Sequence, residues 1–331
     1  MDTTTFGDVS PRVGIIAITQ FLKHAEHAIV FNKLGQIERV PKNKGQTIKW
    51  RRYVPFDPIT TPLTEGVTPT SQKIAVVDVS ASLGQYGGWS EITDVIQDTH
   101  EDPILQGATQ LHGQQAGESF ETLTYLTLRA GTNVVYANGS ARNEVNTKIS
   151  LGKLRSAVRT LNKNKCRKKT SILAPSVNYK TQAIEAAYVA VCHTDLEPDI
   201  RDLAGFVPVA QYGSRQPICP QEFGSVENVR FITTTIATPF ADAGGLDGDA
   251  VLSTTGTNAD VYPVLIFGED AYGTVALKGK DSAEILVRNP GKPEKGNELG
   301  QTGSVGWKGW HVAARLNEAW MVRLEVAATL L

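Results

Sequence analysis

The chain is poor in cysteine. Its 331 residues hold three, Cys166, Cys192 and Cys219, and no two of them make a CxxC pair. That excludes a disulfide scaffold and a four-cysteine zinc site. Free thiols of a reducing compartment are the plain reading. Long apolar runs are missing as well. Nothing approaches the ~18 consecutive apolar residues of a membrane-spanning helix, so no membrane partner is expected. The first apolar run, Gly14-Ile15-Ile16-Ala17-Ile18, is too short for a secretory core, and Asp2 stands where a leader carries basic residues. A soluble, cytosol-like setting is the expectation. Neither charge is in surplus: Lys+Arg is 33 and Asp+Glu is 34, for a net charge of -1. A uniformly basic nucleic-acid coat and an acidic disordered tail protein are thereby excluded. Catalytic signatures are absent too, with no GxSxG, HExxH or GxxxxGK[ST] and no GxGxxG after a strand.

What is present is enough apolar material, 41% of residues, for a packed core. The length allows one large domain or two ordinary ones. Residues 1–12 read as a loose arm. Ile15, Ile18, Leu22, Ala25, Ile29 and Lys33 recur in steps of three and four, which predicts a helix stopped at Gly35. Residues 46–54 and 73–79 are rich in β-branched and aromatic side chains and read as strands. Between them, residues 55–69 carry four prolines, which forbid a helix interior and a central strand. The span is too long for a hairpin turn. It also holds Phe56, Ile59, Leu63 and Val67, which a solvent loop does not need. With about eight residues per arm at ~3.3 Å each, it reaches ~27 Å from its base, far enough to rest on a neighbour.

The glycine-rich stretch 83–89 reads as a lead into helix. Asp102-Pro103 is a capping acid followed by proline at the first helical position. Leu105, Ala108, Leu111, Phe120, Leu123, Leu126 and Ala130 then recur near the helical period up to Gly131. The run 103–130 is 28 residues, a spine of about 42 Å. Residues 150–162 are amphipathic, with Leu151, Leu154, Val158 and Leu161 on one face. Short elements follow: strand 171–174, helix 177–187, strand 188–192, helix 196–203, and strands 231–236 and 261–267. Residues 241–260 read as an exposed loop, and the chain ends in strands 307–316 and 320–326.

Several constellations invite a chemical reading. His24 and His27 lie three apart on a helix beside Glu26, but no third metal ligand is placed by the sequence. His100-Glu101-Asp102 is explained by the electrostatics of a helix start. Cys192, His193 and Asp195 are adjacent in sequence, which does not aim them at one another. Gly300, Gly303, Gly306 and Gly309 resemble a phosphate loop, yet no helix with Lys-Ser or Lys-Thr follows, and close packing of a returning strand is the better reading. No cofactor, metal or catalytic residue is expected. The charge pattern says more. No acid stands between Glu144 and Glu185, while ten basic residues do, among them Arg155, Arg159, Lys163, Arg167, Lys168 and Lys169. Arg155, Arg159 and Lys163 fall four apart, opposite the leucines. A solvated face is the plain reading, and a contact with phosphate or a neighbour's acidic patch is the sharper one. The stretches 195–199 and 242–249 are acidic enough to be such a patch.

Five segments, in this order, carry a resemblance: Pro62-Leu63-Thr64-Glu65-Gly66-Val67-Thr68-Pro69 with Leu83-Gly84-Gln85-Tyr86-Gly87; Glu227-Asn228-Val229-Arg230-Phe231-Ile232; Phe267-Gly268-Glu269-Asp270-Ala271-Tyr272-Gly273; and Gly306-Trp307-Lys308-Gly309-Trp310-His311. They resemble the major capsid (head) protein family of tailed bacteriophages, over roughly residues 14–326. The resemblance implies an α+β fold shared with the herpesvirus capsid floor: an N-terminal arm, an extended β-hairpin loop, a peripheral domain with a long spine helix, and an α/β axial domain. It divides the chain into an arm and helix (1–35), the extended loop and peripheral strands (36–90), the spine (91–149), the axial domain (150–265) and returning peripheral strands (266–331).

It further implies a structural protein, not an enzyme. Copies assemble in the host cytoplasm into hexamers and pentamers of an icosahedral virion shell around double-stranded DNA. Partners would be a portal protein, a separate scaffolding protein and a decoration protein, with the packaged DNA held non-specifically. The separate scaffold is expected because the sequence starts almost at the arm. No covalent crosslink is expected. Arg51, Arg52, Phe56, Ile59, Leu63, Glu65 and Val67 are the expected intersubunit contacts. Two other readings compete: a cytosolic α/β enzyme built around Cys192 and His193, and a nanocompartment shell protein of the same fold.

Overall fold

The computed structural model describes residues 30–331, apart from 42, 44, 96–103, 170–185, 214–215, 249, 278–282, 292 and 294–296. The strands in chain order are β1 (Gln36–Val40), β2 (Thr47–Tyr53), β3 (Val76–Ser82), β4 (Gly84–Thr93), β5 (Val134–Tyr136), β6 (Tyr188–Cys192), β7 (Phe206–Pro208), β8 (Glu222–Val226), β9 (Val229–Thr233), β10 (Tyr262–Phe267), β11 (Tyr272–Leu277), β12 (Glu284–Arg288), β13 (Thr302–Arg315) and β14 (Met321–Val326). The helices are α1 (Phe31–Leu34), α2 (Ile104–Arg129), α3 (Leu151–Lys163) and α4 (Glu197–Arg201).

Every residue of β6 and β10 is buried. A strand with both faces covered reads as a continuous apolar run, and these sit at the centre of a sheet. The sheet has seven strands in the order β5-β14-β10-β6-β9-β8-β7. Tyr188, Ala190 and Cys192 of β6 face one core together with Leu154, Ala157 and Leu161 of α3. Val189 and Val191 face the other, with Tyr125 and Leu128 of α2 and Phe31 of α1. The amphipathic reading of 150–162 holds: Ser150 caps α3 by accepting from Lys153 N, and its leucines enter the first core.

A five-stranded sheet runs β1-β11-β13-β12, with β4 also paired to β13. The stretch 83–89 is therefore no lead into helix. β4 pairs with β13 over ten residues, from Thr93↔Thr302 to Gly84↔His311. Its glycines serve close approach of the two strands. A Cβ on Gly87 would lie 2.6 Å from Trp307 O, and one on Gly306 would lie 2.8 Å from Trp89 Cβ. The glycines of 303–309 are strand residues likewise. The segment 266–331 divides between the sheets, since β14 leaves β11–β13 and pairs with β10.

The spine reading is carried by α2, 26 residues long. Its buried line differs from the leucine period. Leu111 is 69% exposed and Leu126 49%. Small or polar residues, Gly113, Ala116, Gly117, Glu121 and Thr124, line the face toward the sheet instead. The loop 241–260 is also less open than expected. Val251, Ala259 and Asp260 are buried, and the Asp260 carboxylate accepts from Asp242 N, Thr254 N and Thr254 Oγ1 at 2.8, 3.0 and 2.7 Å. His24, His27, His100, the Asp102-Pro103 cap, strand 171–174 and nearly all of helix 177–187 lie outside the described residues.

Candidate intersubunit surface

β2 and β3 form a separate two-stranded ribbon. Facing pairs Ile48↔Ala81 and Trp50↔Val79 put one apolar row toward the body. Ile48 and Trp50 pack there against Val40, Leu83 and Val275. On the outer side Arg51 faces Asp78 and donates through Nε and Nη2 at 2.8 and 3.0 Å. Those hydrogen bonds raise the guanidinium's pKa and lower the carboxylate's. Both groups stand in water, where such a pair adds little stability.

Residues 54–75 join the two strands, all of them exposed. Val54 N to Ala75 O at 2.9 Å closes the base. At the far end Val67 N donates to Thr64 O at 3.2 Å, and Gly66 sits at φ +79°, a type II turn with glycine at its third position. Phe56, Ile59, Leu63 and Val67 are 54%, 73%, 75% and 63% exposed, and Glu65 stands at the turn. Arg52 is exposed and makes no ion pair among the described residues.

The second predicted set lies elsewhere, on the outer face of α3 and the turn after it. Arg155 holds Glu227 at 2.8 and 2.5 Å. Arg159, Lys163 and Arg167 are exposed, Lys168 and Lys169 half-buried, and none of the five pairs with an acid among the described residues. The acidic stretch 195–199 is largely committed within the chain. Asp195 accepts from Tyr262 Oη at 2.8 Å, Glu197 pairs with Arg201, and buried Asp199 takes Thr329 N and Oγ1 at 2.9 and 2.5 Å.

The fold does bring His193 to Asp195, at 3.1 Å, against the expectation from adjacency. Cys192 points away, into the core, with Sγ toward Ile232 O at 3.7 Å. Burial raises its pKa and that of Cys219, and pushes Cys166 up to about 11. A thiol held protonated in a core is no nucleophile. Among the described residues no cluster of His, Cys, Asp and Glu can hold a metal ion, and no helix is long and apolar enough to cross a membrane.

Two buried polar junctions escaped the sequence reading because their members lie about 90 to 190 positions apart. Glu121 of α2 accepts from Val30 N at 2.6 Å, from Phe31 N, and from Asn32 N at 3.3 Å. Thr124, one turn on, bonds Asn32 Oδ1 at 2.8 Å and His311 Nε2 at 2.9 Å. Burial pushes Glu121 up to about 7 and His311 down to about 4. In the second junction, Arg129 and Arg142 stack on Phe240, 3.7 and 3.5 Å from its ring centroid, beside buried Glu325. No short-range signal could have found either.

This arrangement of sheets, spine and ribbon is the fold of phage capsid proteins. Over 90% of its length the chain matches the capsid protein of Ralstonia phage GP4, 88% of which is covered, at a TM-score of 0.66 and 13% identity. A second likeness is the acid-stable capsid of Helicobacter pylori bacteriophage KHP30, with TM-score 0.60, 7% identity, and 90% and 89% of the two chains covered. The capsid of cyanophage P-SCSP1u gives TM-score 0.56 at 13% identity, over 90% and 88%. No curated protein sequence matches. The phage capsid protein family matches residues 76–324, and the chain belongs to that family. It is a structural protein of a phage head, as the resemblance implied, and the α+β capsid fold is the one expected.

Proposed function

We propose that this protein is the repeating unit of an icosahedral head, closing into hexamers and pentamers around double-stranded DNA. Heterologous contacts repeated by rotation close such rings. A net charge of -1 lets many copies sit side by side without mutual repulsion. The observation that carries the reading is the loop 54–75. It leaves its own body with Phe56, Ile59, Leu63, Val67 and Ile74 exposed. An apolar surface of that kind belongs to an interface. Arg51, Arg52, Phe56, Ile59, Leu63, Glu65 and Val67 are the proposed intersubunit contacts.

In this reading the five-stranded sheet and α2 form the peripheral part, and most of the seven-stranded sheet with α3 the axial part. Portal, scaffolding and decoration proteins are the proposed partners, and the host cytoplasm the place of assembly. The bases Arg159, Lys163, Arg167, Lys168 and Lys169, which pair with no acid among the described residues, are proposed with Arg155 beside them to meet DNA phosphate or acids of a neighbour. The test is deletion of residues 56–68. The subunit should keep its circular dichroism and thermal transition but form no shells in electron micrographs. Particles of ordinary size from the deleted chain would overturn the reading.

A further inference from the structure

Residues 30–34 stand in the chain between residues 1–29 and β1, and the body holds them more than they hold themselves. α1 is a single turn, too short to be stable alone. Val30, Phe31 and Leu34 are buried, and the Phe31 ring lies 5.8 Å from that of Tyr125 on α2. Tyr272 of β11 donates from Oη to Phe31 O at 2.7 Å, and Asn32 Oδ1 takes the Thr124 hydroxyl at 2.8 Å. The remaining tie is one carboxyl group. Glu121 has no exposed surface. Its Oε1 accepts from Val30 N at 2.6 Å and from Phe31 N, while Oε2 meets Asn32 N at a longer 3.3 Å.

Two oxygens so unequally served suit a neutral acid, because a proton on Oε2 leaves both Oε1 bonds in place. The neighbours offer a charge little relief. Lys33 of α1 is the base that faces it, from an exposed position. β11 presents Tyr272 and β13 presents His311 through Thr124, and burial keeps both neutral. Tyr125, one turn along α2, gives its hydroxyl to Thr238 O. Burial therefore outweighs the three N–H groups and pushes the Glu121 carboxyl up to about 7. When residues 30–34 come away, the carboxyl meets water and returns toward 4.5. His311 stays behind on β13, against Thr124 and Phe120, and takes up no proton in exchange. Opening thus releases a proton, and rising pH between those two values favours the open form.

We propose that Glu121 is a proton-operated clasp, holding residues 30–34 to the spine while protonated and loosening them, alone of the fold, as the proton leaves. A local opening of this kind needs far less than global unfolding. The segment it governs joins residues 1–29 to the body, so the same proton sets how firmly those residues are anchored. The clasp acts within one subunit and needs no loop contact.

Hydrogen exchange of the full-length, unassembled chain tests it, read on the amides of residues 30–34 and of β6 from pH 5 to 8 and corrected for the intrinsic rate. Protection at 30–34 should fall about 40-fold from pH 5 to 7 and level off by pH 8. Protection of β6 should not follow that fall. Glu121→Gln keeps an acceptor oxygen and cannot titrate, so its protection at 30–34 should be level across the series. A parent as level as this variant, or a variant as steep as the parent, would overturn the clasp. Equal losses at 30–34 and in β6 would mean global unfolding and overturn it too. Should Glu121→Gln not fold, Glu121→Asp decides. It keeps the titration and shortens the reach, so protection should be lower at every pH with the slope retained, and a level series removes the role given to the carboxyl.

Discussion

Arg142 clasps Glu325 through two parallel hydrogen bonds, Nε to Oε2 at 2.9 Å and Nη2 to Oε1 at 2.8 Å. Glu325 lies on β14, between β5 and β10 of the seven-stranded sheet, with no exposed surface, and Arg323 is a second cation 2.7 Å from it. Arg142 comes from the turn after β5, and it also stacks on Phe240. The pair therefore ties the end of the spine region to β14. Removing one partner of a buried pair costs about 3–5 kcal/mol when the other charge is left uncompensated, and Arg323 beside Glu325 together with the part-exposed Arg142 make that an upper bound here. Arg142→Leu is expected to lose stability up to that bound in urea unfolding of the isolated subunit. Arg142→Lys keeps the charge but loses the two-point fork, and should fall between Leu and the parent. Equal stability of all three chains would show that Arg323 alone satisfies Glu325.

The Glu121–His311 junction predicts an unusual flatness in stability against pH. Glu121 titrates near 7 in the fold against 4.5 outside it. Its contribution is whole below pH 4.5 and is lost as pH rises through about 7. His311 titrates near 4 in the fold against 6.5 outside it. Its contribution is whole above pH 6.5 and is lost as pH falls through about 4. Between 4.5 and 6.5 the folded junction carries one proton on Glu121, and the unfolded chain carries one on His311. Equal proton counts mean no slope from this pair. Each single variant should uncover the other's slope, a change of about 3 kcal/mol across its own window. His311→Gln should become less stable from pH 4.5 to 7, and Glu121→Gln more stable from pH 4 to 6.5. Denaturation series at five pH values check this, and parallel curves for parent and variants would sink it.

The three thiols supply a prediction against any catalytic use of Cys192. Burial pushes Cys166 up to about 11 and raises Cys192 and Cys219. At pH 8, a thiol titrating near 11 is ionised about once in a thousand molecules. Native protein should react with a thiol reagent far more slowly than free cysteine, and urea should release all three groups. A single thiol labelled at the rate of free cysteine in the native state would contradict the burial.

Much of the architecture was readable because some segments answer to one local rule. Tyr188 to Cys192 and Tyr262 to Phe267 are short apolar runs that read as strands, although Pro263 gave no sign that the second lies inside a sheet. Leu151 to Leu161 keep a helical period beneath a serine cap. The ribbon and its proline-stiffened loop were visible because proline excludes every alternative. β4 was misread because its glycines argue against a strand locally, and their purpose lies in β13, more than 200 residues away. The buried face of α2 was misplaced for a related reason: where the helix lies close on a sheet it needs small residues, so Leu111 and Leu126 turn outward while Leu128 enters the core. A cleft under Trp50 was invisible, since it joins a ribbon residue to Trp320 near the other end of the chain.

Gly309 tests that close packing directly. It lies on the face of β13 that meets the spine, where a Cβ would stand 2.5 Å from Phe120 Cζ and 3.4 Å from Ala283 Cα. The Phe120 ring is pinned in turn, edge-on to Trp307 at 5.5 Å and tilted on His311 at 5.2 Å. It cannot swing aside without disturbing both. Overfilling a site of this kind costs about 1–3 kcal/mol. Gly309→Ala is therefore expected to lower the urea midpoint of the subunit. Pairing it with Phe120→Leu should recover part of the loss, because the shorter side chain vacates the contested space. The two substitutions touch, so their effects should not add. Strictly additive losses would mean that the glycine answers to the backbone of β13 and not to the ring above it.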